Sequence, residues 1–265
     1  MNSRFVLAVA GAVCLLFPRP IAAIQFNLDT MRTELRLKPG KSKRIRIKVT
    51  NYGETPIRVK PSLSDLRIRL DGTPEFIDLG STTWSLKDAV VQTVQPFVLP
   101  PRTTRTVGLK VTLPENAKGG RYGAMLFESE ALSPPGKKAR TSTVTINIRL
   151  ASLILIDVKG TEMYKAEVPA FKAFHEGGKI KVQLSVRNGG NLLIRPSGPI
   201  RLINGSTQVL TGELHPKRAV LPGDTAQYNI EWPDTNIAKG TYQIVTEVDY
   251  GGKEILGAKA ELVID

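Results

Sequence analysis

One long stretch of alternating residues, 141–157, constrains the fold more than any other part of the chain. Its first half places apolar side chains on one side and polar ones on the other, and the apolar positions are Val144, Ile146, Ile148 and Leu150. Alternation with a period of two predicts a β-strand with one buried face. From 151 to 156 the polar side disappears, so this half is predicted to be covered on both faces. A strand far beyond the usual length of about 5–6 residues either crosses between two structural units or offers unpaired backbone to a partner.

The first 23 residues carry the features of a secretory signal peptide. An apolar run over 5–17 follows Arg4, and small residues lead to cleavage after Ala23 or, alternatively, after Ala22. Cleavage removes Cys14, the only cysteine, so the exported protein can form no disulfide. It also removes two arginines and no acid, which lowers the formal net charge from +13 to +11. No later segment is apolar enough to span a bilayer. We therefore predict a basic protein of the periplasm, the cell surface or the secreted fraction, with no transmembrane segment after the signal.

The rest of the sequence contains an internal repeat. Residues 180–198 resemble 45–62, and in both segments a strand ends at Asn-x-Gly. Residues 220–248 resemble 98–128, and in both a Leu-Pro turn precedes a strand, followed by Ala-Lys-Gly and an aromatic strand. An ordered series of such matches at similar spacing predicts two copies of one module.

Both copies have the pattern of an antiparallel β-sandwich. Short alternating segments are separated by turn signals every 8–12 residues or so, and no amphipathic helix follows the signal. The fold class predicted is all-β, with two tandem immunoglobulin-like antiparallel β-sandwich domains behind a signal peptide. The predicted divisions are 1–23 for the signal, 24–158 for the first domain and 159–265 for the second.

The sequence gives little indication of catalysis. His175 and His215, the only histidines, lie in different modules and in polar, turn-like surroundings. Neither stands at ligand spacing from other metal-binding side chains, so no metal site is predicted. Nucleophile elbows, zinc-protease motifs and phosphate-binding loops are missing from the sequence. We predict a non-enzymatic protein without catalytic residues and without a cofactor.

Positive charge is concentrated in the first module. Arg44, Arg46 and Lys48 alternate with apolar residues, and this pattern predicts one basic, outward face. Such a face either keeps the protein in solution or attracts an anionic partner, such as a lipid head group, a polyanionic glycan or an acidic protein. Nucleic acid is disfavoured as a partner, because the chain is exported and the face carries no interleaved aromatic residues.

The first module resembles the periplasmic pilus-assembly chaperones. The resemblance lies in Phe26-x-Leu28-Asp29-x-x-Arg32, in Phe97-Val98-Leu99-Pro100, in the strand at Gly120-x-Tyr122, in the loop 131–141 and in the alternating strand 142–156, in that order. The second module resembles the family only in its general plan. The resemblance implies two immunoglobulin-like domains and a chaperone-like subunit binder in pilus or surface-fibre assembly.

The resemblance also implies site residues. In that family the last strand of the first module adds to an incomplete pilin-like domain, which here assigns Val144, Ile146, Ile148 and Leu150 as the partner-binding residues. The family holds the subunit's terminal carboxylate with an arginine and a lysine. Arg32 matches the arginine, whereas the lysine has no match and Arg149 is its substitute. Three alternatives stay open at this point. The strand is an ordinary inward face of a sandwich, or the protein binds an envelope polymer such as peptidoglycan or a polyanionic glycan, or a surface-complex partner. The third alternative is a hydrolase in which acids from loops converge in the cleft between the modules.

Overall fold

The computed structural model describes residues 26–90, 94–132, 147–214, 218–233 and 237–264. Within these ranges the chain forms sixteen β-strands and no helix, which confirms the predicted all-β class. The first nine strands are β1 (Phe26–Leu28), β2 (Arg32–Leu37), β3 (Ser42–Asn51), β4 (Ile57–Ile68), β5 (Pro74–Ile77), β6 (Phe97–Leu99), β7 (Thr103–Thr112), β8 (Gly120–Ala131) and β9 (Ile148–Val158). The other seven are β10 (Ala166–Glu176), β11 (Lys179–Asn188), β12 (Pro199–Asn204), β13 (Thr207–Glu213), β14 (Thr225–Pro233), β15 (Gly240–Val248) and β16 (Leu256–Ile264).

Strands β1–β9 form the first sandwich. One sheet has the order β1-β3-β7, and the other has the order β2-β9-β8-β4-β5 with β6 beside β4. Polar and apolar side chains alternate along β3. Ile45, Ile47 and Val49 therefore lie between the two sheets, where they pack against residues of β8 and β9. Burying one apolar face of each sheet is what holds the two layers together.

The chain enters this sandwich through a first strand that is divided into two segments. The segment β1 pairs antiparallel with β3, whereas β2 pairs parallel with β9, from Arg32 beside Leu153 to Leu37 beside Val158. This parallel pair departs from the purely antiparallel plan. The reason is that the first strand changes sheets at 29–31 while it keeps its direction, so it meets a different neighbour in each layer.

Strands β10–β16 form the second sandwich, with sheets in the orders β10-β11-β14 and β13-β12-β15-β16. Its core contains Tyr228 and Tyr242, and Trp232 packs against that core. The two tandem immunoglobulin-like sandwiches predicted from the sequence are thus confirmed. The predicted limits of the domains, at 24, 158 and 265, remain predictions.

In each copy, a buried asparagine connects the Asn-x-Gly motif to the later Leu-Pro turn by hydrogen bonds. The side-chain amide of Asn51 donates to the carbonyl oxygens of Leu99 and Pro100 at 3.1 Å each. In the second copy, Asn188 donates to the carbonyl of Val220 at 2.9 Å. Each asparagine also accepts a hydrogen bond from the glycine two residues later. Both motifs therefore belong to one clamp, and its recurrence confirms the internal repeat.

A second buried polar group organises the irregular segment between β5 and β6. Asp65 on β4 is fully buried, and its carboxylate accepts hydrogen bonds from the backbone N–H of Gly80 and Thr82 and from the hydroxyls of Thr82 and Ser85. The distances are 2.6–3.2 Å. A buried carboxylate needs such donors to replace water. These bonds hold the loop that carries Trp84 against the sheet.

Several predictions fall outside the described residues. They are the signal peptide at 1–23, His215, and the strand residues Val144 and Ile146. In the part of the chain that the structure describes, no helix has the length and hydrophobicity needed to cross a membrane.

Candidate functional site

Strand β9 lies between two neighbours that do not cover it equally. On one side it pairs antiparallel with β8 from Ile148 to Asp157. On the other side the pairing with β2 begins only at Leu153. Among the described residues, no strand pairs with this second edge between Ile148 and Ser152. Within the described part of the chain, the first half of β9 therefore has a free backbone edge.

The hydrogen bonds of β9 indicate which backbone groups face that edge. The N–H of Leu153 donates to the carbonyl of Met31 at 2.8 Å, and that of Lys159 donates to Leu37, both on the β2 side. Successive residues of a strand direct their N–H and C=O groups to opposite edges. By this alternation the groups of Arg149 and Ala151 point out of the sheet. They are donors and acceptors in position for another strand.

The side chains beside the free edge continue the apolar core. Ile148 and Leu150 are half-buried and pack against the interior of the first sandwich. In contrast, Ile154 and Ile156 on the same face are fully buried. The core is therefore less completely closed beside the free edge than at the far end of β9.

The second half of β9 is covered on its outer face by the second sandwich. Leu155 lies in an apolar cluster with Leu66 and Tyr122 of the first domain and Leu221 of the second, and Leu153, Leu193 and Trp84 pack against this cluster. This contact explains why the polar side of the sequence disappears after residue 150. It also accounts for Trp84 as a domain-contact residue.

A buried tyrosine connects the two domains through hydrogen bonds. The hydroxyl of Tyr122 donates to the carboxylate of Asp157 at 2.9 Å and accepts from the N–H of Leu193 at 2.7 Å. Burial raises the pKa of Tyr122 and also raises the pKa of Asp157. The phenol therefore keeps its proton, and the pair acts as a fixed bridge across the domain contact.

Ion pairs at the same contact join residues that are far apart in the sequence. Arg36 pairs with Glu162 and Arg195 pairs with Glu34, each at 2.6 Å. The partners are 126 and 161 residues apart. The sequence interpretation missed all four, because a pair at this separation leaves no periodic or local signal.

Arg32 and Arg149, the predicted carboxylate anchor, lie on the outer face of the sheet that contains β9. Arg32 is exposed, and its guanidinium approaches Glu34 at 3.4 Å. In the parallel register Arg32 stands beside Leu153, four residues beyond Arg149. Arg149 is also exposed and shares that face of the sheet, about 13 Å away along the strand at the usual rise per residue. The structure thus places both arginines on one face but at some distance from each other.

The tip of the β4–β5 hairpin makes a further contact between the domains. The guanidinium of Arg218 donates to the carbonyl of Leu70 at 2.9 Å, and the N–H of Gln227 donates to the same carbonyl at 3.4 Å. With Tyr122 this gives two separate points of attachment. The orientation of the free edge relative to the second domain is therefore held by contacts at both ends of the interface.

Two other sites considered from the sequence were a metal site and the basic face of β3. No group of three histidine, cysteine, aspartate or glutamate side chains there could hold a metal ion. The basic residues Arg44, Arg46 and Lys48 are exposed on the outer face of β3, in the other sheet of the first sandwich from β9. The free edge and the basic face are thus separate surfaces of one domain.

The Arg36–Glu162 pair gives a pH-dependent prediction. The hydrogen bond from Arg36 lowers the pKa of Glu162 from its ordinary 4.5 to about 2. A carboxylate with a lowered pKa in the folded state stabilises that state above its ordinary pKa, and the contribution is lost as the pH falls from about 4.5 to about 2. We expect E162Q to lower the thermal midpoint at pH 6 and to leave it unchanged near pH 2. E254Q, which removes an exposed carboxylate without an ion pair to a described residue, is the control; an E162Q effect that persists at pH 2 would contradict the assignment.

Comparison with known proteins gives structural similarities only. No protein-family model matches the chain, and no curated protein does. The class 5 fimbriae chaperone CfaA aligns at 13% identity and a TM-score of 0.49 over 89% of this chain and 99% of that one. A chain from a chaperone–tip adhesin complex of CFA/I fimbriae biogenesis aligns at 15% identity and a TM-score of 0.48, over 89% and 98%. A chain from the Salmonella enterica SafA pilin complex with the SafB chaperone aligns at 13% and 0.41, over 91% and 97%.

One of these structures is a fimbriae chaperone, and the other two are complexes that contain a chaperone. Identities of 13–15% with TM-scores below 0.5 carry no inference about function. Function has to be argued from the contacts of this chain.

Proposed function

We propose that the protein is a non-enzymatic, chaperone-like binder of an exported β-rich subunit, which it holds by strand addition along the free edge of β9. The observation that carries this proposal is the unpaired edge from Ile148 to Ser152 beside a half-buried apolar row. An isolated edge of this kind promotes aggregation unless a partner covers it. A partner strand would complete the sheet and shield that row.

The backbone and the side chains of β9 contribute differently to such binding. Backbone hydrogen bonds to Arg149 and Ala151 supply affinity without regard to sequence. Ile148 and Leu150, with Val144 and Ile146 upstream, supply alternating apolar contacts that choose the partner. The resemblance to pilus-assembly chaperones suggests that this partner is a pilin-like subunit of a pilus or surface fibre. The predicted signal peptide places the encounter in the periplasm or at the cell surface.

A terminal carboxylate of the subunit is proposed to bind on the face shared by Arg32 and Arg149. Arg149 stands opposite Glu128 in the antiparallel register but forms no ion pair with it or with another described acid, so its guanidinium can bind a ligand. Arg32 would exchange the longer contact with Glu34 for the new carboxylate, because Glu34 keeps the closer Arg195. Charge-assisted hydrogen bonds to a carboxylate are among the stronger polar contacts in proteins.

The test is to isolate the exported protein from its own envelope and to identify what is bound. We expect a small β-rich exported subunit in a 1:1 ratio, and its loss with Ile148→Lys, because a charge in the apolar row opposes the partner's side chains. Ile255→Lys makes the same change at a side chain that is 65% exposed, far along the chain from β9, and should keep the subunit. Thermal unfolding of both variants checks that they are folded. A protein that is recovered without a subunit, or an Ile148→Lys variant that retains it, contradicts the proposal.

A further inference from the structure

The outer face of β3 and β7 carries a cluster of like charges. Arg44, Arg46 and Lys48 are exposed on β3, and Lys110 is exposed on β7. In the antiparallel register Arg44 stands directly opposite Lys110. Like charges at directly opposed positions destabilise a sheet. None of these four residues forms an ion pair with an acid in the described parts of the chain.

An acid stands at each end of this face. Beyond Lys48, the carboxylate of Asp29 accepts a hydrogen bond from the backbone N–H of Lys48 at 2.7 Å. Near the other end, Glu115 packs against Gly40. Between these ends the outward positions of the two strands are cationic, hydroxyl or glycine. At the centre of the face, therefore, no acid of the described residues offsets the repulsion between these cations.

A glycine leaves a hollow at that centre. Gly108 on β7 stands opposite Arg46, and a Cβ built there would meet no atom within 4 Å. Its φ does not lie in the left-handed region, so the backbone does not require glycine. Glycine inside a strand lowers stability and often marks a place where another molecule approaches closely. The hollow has a volume of about 360 Å³ and is lined by Arg44, Ile45, Arg46, Gly108, Leu109 and Lys110.

We propose that this face, formed by Arg44, Arg46, Lys48, Lys110 and the Gly108 hollow, binds a linear acidic glycan. One carboxylate or phosphate group of the polymer occupies the hollow between Arg44, Arg46 and Lys110, and the neighbouring sugars lie along β3. Guanidinium groups supply paired donors that match such anions.

A glycan fits the face better than a lipid surface does. Peripheral binding to a membrane uses exposed apolar or aromatic side chains that enter the bilayer. The outward positions of β3 and β7 carry no apolar or aromatic side chain. They offer threonine hydroxyls, and Thr106 lies opposite Lys48 and next to the hollow. Hydroxyls are suitable partners for sugar hydroxyls as both donors and acceptors.

This surface is independent of the proposed subunit site. It belongs to the sheet β1-β3-β7, whereas the free edge belongs to the sheet of β9. The second domain packs on the outer face of that other sheet, through Tyr122 and Leu155. The basic face remains exposed when a strand is added to β9, so the protein can hold a subunit and an envelope polymer together.

The experiment measures binding of the purified exported protein to polygalacturonate, with neutral dextran as the reference. We expect binding that weakens with salt, and a loss of about tenfold or more in R44E/R46E, since two attractive charges become repulsive. G108V fills the hollow without changing charge and should also lose about tenfold, because the anion can no longer reach between its donors. Valine is favoured in strands, so this variant is expected to fold.

Two controls separate a site from general charge attraction. K172E/K259E makes the same change of net charge at exposed positions of the second domain. G257V makes the same glycine-to-valine change at an exposed position of β16, where an added Cβ would also meet no atom within 4 Å. Both should stay within about twofold of the parent protein, as expected for positions that do not enclose the anion. A loss in K172E/K259E equal to that in R44E/R46E would overturn the proposal, and so would unchanged binding by G108V. Binding to phosphatidylglycerol vesicles in place of polygalacturonate would assign the face to a membrane instead.

Discussion

Replacing Ala151 by proline is expected to abolish subunit capture while the protein remains folded. The N–H of Ala151 points to the free edge of β9, so proline removes a donor that a guest strand needs but none that β8 uses. Proline is tolerated in edge strands when its missing N–H faces outward. The added ring also obstructs the close approach of a neighbouring strand. We expect co-purification of the subunit to fall to background.

Two variants control this experiment. Ala151→Ser keeps the N–H and changes the side chain little, and it should capture the subunit as the parent protein does. Leu150→Pro removes an N–H on the β8 side, where Leu150 pairs with Phe127, and it should lower the thermal midpoint markedly. If Ala151→Pro captures the subunit normally, the guest does not pair with this edge.

Replacing Asp65 by alanine is expected to lower the free energy of unfolding by about 3–4 kcal/mol, because several buried donors lose their acceptor together. The donors come from Gly80, Thr82 and Ser85, and all belong to one loop. Denaturant unfolding measures this loss directly. The same loop carries Trp84, whose indole N–H donates to the carbonyl of Leu66 and whose ring packs at the domain contact.

The control for Asp65 is Asp71, an exposed aspartate at the hairpin tip that accepts a hydrogen bond from the N–H of Thr73. Asp71→Ala should cost far less, because water replaces the carboxylate there. Equal losses in the two variants would show that the Asp65 bonds contribute little. A loss of domain contact in Asp65→Ala, seen as new protease sensitivity near Trp84, would link this loop to the contact between the two domains.

The sequence predicted those features that repeat or alternate. The period-two pattern of β3 and β9 identifies buried faces, since a strand exposes every second side chain to one layer. The Asn-x-Gly and Leu-Pro motifs identified the repeat because both belong to the clamp made by Asn51 and Asn188. Local chemistry determines these features, so they can be read in order along the chain.

The features that the sequence did not predict depend on where distant segments meet. The parallel pairing of β2 with β9 depends on a change of sheet at 29–31, which has no local pattern. The Arg36–Glu162 and Arg195–Glu34 pairs and the Tyr122 bridge depend on how one domain docks on the other. The free edge itself follows from where β2 begins to pair, at Leu153, and the sequence could only present it as one of two alternatives.

Amide hydrogen exchange along β9 of the free protein tests the central claim most directly. A free edge predicts alternation, with fast exchange at Arg149 and Ala151 and slow exchange at Leu150 and Ser152, whose N–H groups bond to β8. Addition of the subunit should then slow Arg149 and Ala151 to the rate of their neighbours. If Arg149 and Ala151 already exchange slowly in the free protein, the edge is covered and capture by strand addition at β9 is wrong.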